Sequence, residues 1–135
     1  MEHGPRGGDE LNRVLPGRNY GFNVTSYGRE YSTKPVSTGI TAKDGLEQPV
    51  YFWTPSIAPS GLQFYTGDLF PAWKGNVFTG AQAGKHLIRL VLNGERVTGE
   101  EPLLADRCRR TATCVRGRKG RSICSRKSRM ARSVD

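Results

Sequence analysis

Three sets of residues in this chain of 135 are of types that could carry chemistry. The first is the segment 2–12, EHGPRGGDELN, which packs three glycines, a proline and three acids into eleven residues. Taken alone, GPRGG reads as a loop rather than a metal site, and Asp9 and Glu10 as solvated or capping acids rather than ligands. The second set is Cys108, Cys114 and Cys124. Their C-x5-C-x9-C spacing, with no histidine near, fits neither a zinc ribbon nor a disulfide framework. The third is the run 107–135, with 11 Lys+Arg against one acid, Asp135. Such a run is expected to be disordered and could bind phosphates. It lacks the aromatics on which single-stranded bases stack, so any binding of nucleic acid or an anionic surface would be non-specific and salt-sensitive.

The charge balance divides the chain at the same place. Residues 1–106 hold 10 Lys+Arg against 11 Asp+Glu, a net of −1, whereas 107–135 carry +10. All 12 aromatics lie in the first part and all three cysteines in the second. The length allows at most one domain, and only residues 1–106 have the apolar content to build a core. No run approaches the roughly 18 apolar residues of a membrane span. Met1 is followed by an acid and a Gly-rich polar stretch, so no signal peptide is expected and the chain as written would stay in the cytoplasm.

The elements that would position these groups read as strands. Residues 2–12 are too punctuated by Gly and Pro for a helix or a ladder strand, and Pro16-Gly17 reads as a turn. The aromatic and β-branched stretch 19–31 predicts one or two short strands, and 32–48 a long surface loop. Further strands are predicted at Val50–Trp53, Leu62–Thr66, Asn76–Thr79 and His86–Leu92. Asn93-Gly94 then signals a hairpin, with Arg96–Thr98 returning. Breaks about every 8–14 residues and the lack of helical periodicity make the body all-β. So few strands leave open edges, which points to a piece of something larger. Trp53 and Trp73 read as core or edge-covering aromatics, His86 as a surface or packing residue, and the Asn23-Val24-Thr25 sequon as a chance match.

The blocks themselves carry a more specific signal. EHGPRGGDELN, PGRNYGFNVTSYGREYS, EQPVYFWTPSIAPSG, FYTGDLFPAWKGNVFTGA, HLIRLVLNGERV and LLAD form one collinear run over residues 2–106. This run resembles the soluble aldose sugar dehydrogenases that depend on pyrroloquinoline quinone (PQQ), the glucose/sorbosone dehydrogenase family. The resemblance implies a six-bladed β-propeller, of which this chain is roughly the C-terminal third. It also implies oxidation of aldose sugars to lactones with PQQ and calcium, and a periplasmic or secreted location for the family. The family's general-base histidine falls upstream of EHGP, so no catalytic residue is assigned here.

Residue by residue, Gly4 and Pro5 match the family's calcium-binding carbonyls, which makes His3 the better functional candidate of the two histidines. Glu10 matches a calcium-ligating carboxylate, and Tyr20 a position that completes that second site through its backbone. Tyr31 and Ser32 match one cofactor-contacting segment, and Ala81 and Gln82 another. The family's glycine after the Tyr-Ser pair is Thr33 here. Its following lysine is Ala83, with Lys85 two places off.

After Asp106 the expected continuation, RDVRQGPDG and then YLLTDE, is missing in this frame. Read one frame over, degenerate codons for Thr111–Val115 permit RDVR, those for Arg116–Gly120 permit QGPEG, and those for Ser122–Lys127 permit YLLTEE. A shifted frame would also account for the cluster of Arg, Ser and Cys. Two functions follow. One is an incomplete, inactive portion of a sugar dehydrogenase, completed by an upstream propeller fragment. The alternative is a small cationic binding protein acting through residues 107–135.

Overall fold

The structure, a computed structural model, describes residues 1–36, 39–105, 111–116 and 122–126. They fall into two compact units, Met1–Pro59 and Ser60–Asp135. Eight strands and a one-turn 3-10 helix, Pro71–Trp73, make up the regular structure, and no α-helix occurs among the described residues. None of these elements is a helix long and apolar enough to cross a membrane. The all-β expectation holds.

In the first unit, β1 (Asp9–Leu11) pairs antiparallel with β2 (Tyr51–Trp53), with Asp9 opposite Trp53 and Leu11 opposite Tyr51. Sequence reasoning denied residues 2–12 any ladder strand, and that needs correction. The Gly-Pro punctuation ends at Gly8, and Asp9-Glu10-Leu11 runs extended, with Glu2 bridging Glu10 by two 2.9 Å backbone bonds. Strands within 19–31 were also expected, but the segment offers only isolated bridges, Thr25 to Ile40 and Arg29 to Arg6 and Pro35. Aromatic and β-branched residues favour extended backbone, but without a partner strand in register they make no ladder. The expected loop 32–48 contains no strand among its described residues.

Backbone packing, not side-chain volume, shapes this unit. A Cβ on Gly8 would fall 2.3 Å from the Gly28 nitrogen, and one on Gly4 would fall 2.0 Å from the Gly7 carbonyl oxygen. Gly8 also sits at φ +70°, a region that costs an L-residue roughly 1–2 kcal/mol. Only glycine lets the 4–8 loop lie flat against 27–29, where Arg6 and Arg29 exchange backbone bonds of 2.9 and 3.2 Å.

The second unit is a regular sheet in the order β3 (Pro59–Phe64), β4 (Val77–Ala81), β5 (His86–Asn93), β6 (Arg96–Leu103). Every residue of β4 is buried. Tyr65, Phe78 and Leu87 form a core cluster against which Trp73 and Leu103 pack. Ile88 and Leu90 of β5 are also fully buried, and side chains of this size contribute about 1.5–3 kcal/mol each. The Asn93-Gly94 signal is realised as a two-residue hairpin loop, Gly94-Glu95, with Asn93 paired to Arg96. The returning strand runs on to Leu103, five residues past the expected Thr98. Strand β3 starts three residues earlier than expected, because Ser60 is tied inward to the Gly80 carbonyl at 3.2 Å.

Within the basic run, β7 (Thr111–Arg116) and β8 (Ser122–Arg126) form an antiparallel pair that sets Cys114 opposite Cys124. Thr111, Thr113, Val115 and Ile123 are β-branched residues suited to these strands. The rest of 107–135 lies outside the described residues.

Candidate functional site

Strand alternation separates the two neighbouring acids of β1. Glu10 lines a cavity of about 420 Å³ in the first unit. Asp9, on the opposite side of the strand, is fully buried. Gly4, Pro5 and Tyr20 line the same cavity as Glu10, as do Glu2 and His3. All four residues matched to calcium ligands thus converge on one space, although up to sixteen positions separate them in sequence.

The local chemistry of that space is anionic and short of cations. Asn12 Nδ2 donates to Glu10 Oε2 at 3.1 Å and also to Glu2 Oε1. The same amide's Oδ1 is buried and has no hydrogen-bond partner. Burial pushes the Glu10 carboxyl above its usual range, the Asn12 hydrogen bond pulls it back, and the nearby Glu2 raises it again. The carboxylates of Glu2 and Glu10 and the turn carbonyls on the lining are hard oxygen donors, the kind that Ca²⁺ prefers. A cation beside Glu10 would relieve the Glu2–Glu10 repulsion. The residues fit calcium on these grounds. Among the described residues no three His, Cys, Asp or Glu side chains are grouped to hold a metal, so backbone oxygens would have to supply the rest.

The walls are held by specific bonds. His3 Nε2 donates to the Pro59 carbonyl at 2.8 Å, so this histidine ties two segments together while lining the cavity. The Tyr20 hydroxyl donates to the Arg13 carbonyl at 2.6 Å and accepts from Leu15 N at 2.7 Å. The hydroxyl is thereby engaged as both donor and acceptor within its own loop. Phe22, also on the lining, is 88% exposed.

The residues matched to cofactor contacts are placed differently. Tyr31 and Ser32 are exposed and are not part of this lining. Ser32 Oγ donates to Glu30 Oε2 at 3.0 Å, and the turn closes through Thr33 N to the Glu30 carbonyl at 2.9 Å. Thr33 has φ +72°, so a threonine occupies the glycine-like backbone conformation. Ala81 and Gln82 belong to the second unit. Ala81 ends β4 with no exposed surface, and Gln82 is half-buried. Ala81 therefore has no side-chain surface to offer a cofactor. With alanine at 83 as well, the residues present do not by themselves make a PQQ site.

Two residues that sequence reasoning passed over stand out. Asp9, expected to be solvated or capping, is buried and accepts four hydrogen bonds. Asn12 had no assigned part. Trp53 is buried, while Trp73 packs on the core under the Arg89 guanidinium, 5.3 Å from the ring centre. Both match their expectation. His86 is half-buried with Nδ1 donating to the Gly84 carbonyl at 2.9 Å, a packing role.

The family model "Glucose / Sorbosone dehydrogenase" matches residues 1–129, running past the boundary expected at Asp106. The chain is 43% identical over 111 residues to the aldose sugar dehydrogenase YliI of Escherichia coli, covering 81% of this chain and 30% of that protein. A glucose dehydrogenase crystal structure superposes with a TM-score of 0.82 at 48% identity, over 88% of this chain and 35% of the other. The PQQ-bound aldose sugar dehydrogenase of Streptomyces coelicolor shares the fold, with a TM-score of 0.57 at 24% identity over 84% of this chain and 28% of that one. The chain spans about a third or less of the length of these relatives. Its all-β body has the fold of part of the glucose dehydrogenase propellers.

Proposed function

This chain belongs to the glucose/sorbosone dehydrogenase family, and from that premise we propose that it forms part of a domain that oxidises aldose sugars to lactones with PQQ and calcium. The observation that carries this reading is the convergence of Gly4, Pro5, Glu10 and Tyr20 on one oxygen-rich cavity. The carbonyls of Gly4 and Pro5 serve the calcium of the reaction centre. The Glu10 carboxylate and Tyr20 carbonyl serve a second ion that braces the same loop. Calcium, when bound, supplies Lewis-acid polarisation. The chain's own contribution is to hold oxygen donors at fixed positions on rigid turns. Tyr31, Ser32, Ala81 and Gln82 are the proposed cofactor contacts by the resemblance.

The 135 residues contain no match to the family's general base, so the chain on its own is proposed to be inactive and to need the upstream blades. An assay of the isolated chain with PQQ, calcium, an aldose and a dye acceptor tests this. No turnover is expected, and PQQ-dependent turnover would refute it. The family match reaching residue 129 favours reading the basic run as sequence of this domain rather than as a nucleic-acid-binding appendage. Resequencing the gene through codons 106–129 tests whether the frame there is intact.

A further inference from the structure

Asp9 has no part in the proposed ligand set, yet its carboxylate accepts four hydrogen bonds. Its carboxylate is fully buried. Oδ1 accepts from Gly4 N at 2.9 Å, and Oδ2 accepts from Ser56 Oγ at 2.6 Å, Ile57 N at 2.8 Å and Ala58 N at 3.0 Å. Three of the four donors are backbone N–H groups, drawn from two turns that lie more than fifty residues apart in sequence. His3 joins the same two turns through Pro59. On the other side of β1, Glu10 faces the cavity that Gly4 and Pro5 line.

A buried carboxylate with four donors aimed at it is a rigid anchor, because leaving any of those donors unpaired carries a desolvation penalty. The bond to Gly4 N acts directly on the turn whose carbonyls line the cavity. Gly4 packs its backbone against the Gly7 carbonyl, which occupies the place a Cβ would take. The hydrogen bond to Asp9 holds the His3–Gly4 peptide, the one that leads into the turn. We propose that Asp9 is a positioning residue: it anchors the Gly4–Pro5 turn and thereby sets the carbonyl oxygens at the distance a calcium ion needs. The identity of the ion rests on the function proposed above, whereas the anchoring of the turn does not.

The test uses the full chain and its Asp9→Asn and Ser56→Ala variants, with two readouts. Calcium chloride titration gives affinity, and amide hydrogen exchange gives protection at Gly4, with Ile88 and Leu90 as reporters of the second unit. Asp9→Asn is expected to weaken calcium binding about 10- to 100-fold, as loss of partners behind metal ligands does. Exchange at Gly4 should speed up at least about tenfold, while Ile88 and Leu90 stay protected. If Asp9→Asn unfolds the first unit, Ser56→Ala decides: loss of one hydrogen bond should weaken binding roughly threefold, and unchanged affinity overturns the proposal. Calcium affinity within twofold of the parent in a folded Asp9→Asn also overturns it and leaves the calcium reading intact. If the parent binds no calcium, the calcium reading fails. The anchoring then stands if Gly4 loses protection in Asp9→Asn and falls if it does not.

Discussion

The two units of this chain solve the same problem by opposite means. The second, from Ser60, is a four-stranded sheet whose buried side chains are mostly apolar, Val77, Phe78, Leu87, Ile88 and Leu90 among them, with Ser60, Asn76 and Thr79 as buried polar residues bonded within the sheet. The first has only two three-residue strands. It relies on glycines that let backbone touch backbone, and on polar side chains that reach across long sequence separations to cap main-chain groups. Apolar burial is non-directional and tolerates adjustment, so it makes a scaffold. Hydrogen bonds to a buried carboxylate fix direction as well as distance, so they suit a place where carbonyl oxygens must point at something. The candidate site lies in the unit built the second way.

This contrast can be broken from either side. Phe78→Ala or Ile88→Ala should destabilise the second unit by about 3–5 kcal/mol, read by urea unfolding followed through the tryptophan signal, because each leaves a void in a closed core. Gly8→Ala should cost about 2 kcal/mol or more in the first unit, since the new methyl meets the Gly28 backbone and φ is +70°. Loss of protection at Arg6 and Arg29 amides, with Ile88 unchanged, would be its signature. Thr33→Gly should stabilise by up to about 1 kcal/mol, relieving the left-handed strain at φ +72°. If the melting point falls instead, Thr33 makes a compensating contact.

The smallest effect concerns Glu10. Its folded pKa is raised by burial and by Glu2, so the folded state holds a proton that the unfolded chain has already released. In calcium-free buffer its contribution to stability therefore falls as pH rises from the unfolded value of 4.5 towards the raised folded value. Glu10→Gln should remove that dependence and raise the neutral-pH melting point slightly. Thermal melts between pH 4 and 7 would show whether the parent and variant curves converge at the acid end.

Sequence alone showed the second unit better than the first, for a physical reason. β5 declared itself through a long apolar run closed by Asn93-Gly94, a local signal for a local structure. β1 did not, because a three-residue strand is formed by its partner β2 and not by its own propensity. Residues 19–31 had the propensity but no partner in register. At the site, Gly4, Pro5, Glu10 and Tyr20 were readable only through the resemblance of whole blocks. Asp9 was dismissed as a solvated acid because three of its four donors lie 47 to 49 residues away. A stretch of Ser-Ile-Ala does not announce that its N–H groups will converge on a carboxylate.

Calcium titration by calorimetry, comparing the full chain with Glu10→Gln and with Lys85→Ala as a control in the other unit, tests the central claim most directly. The account predicts saturable binding to the parent and to Lys85→Ala, with affinity reduced at least about tenfold in Glu10→Gln. No binding to the parent, or equal affinity in Glu10→Gln, would contradict the assignment of this cavity to calcium.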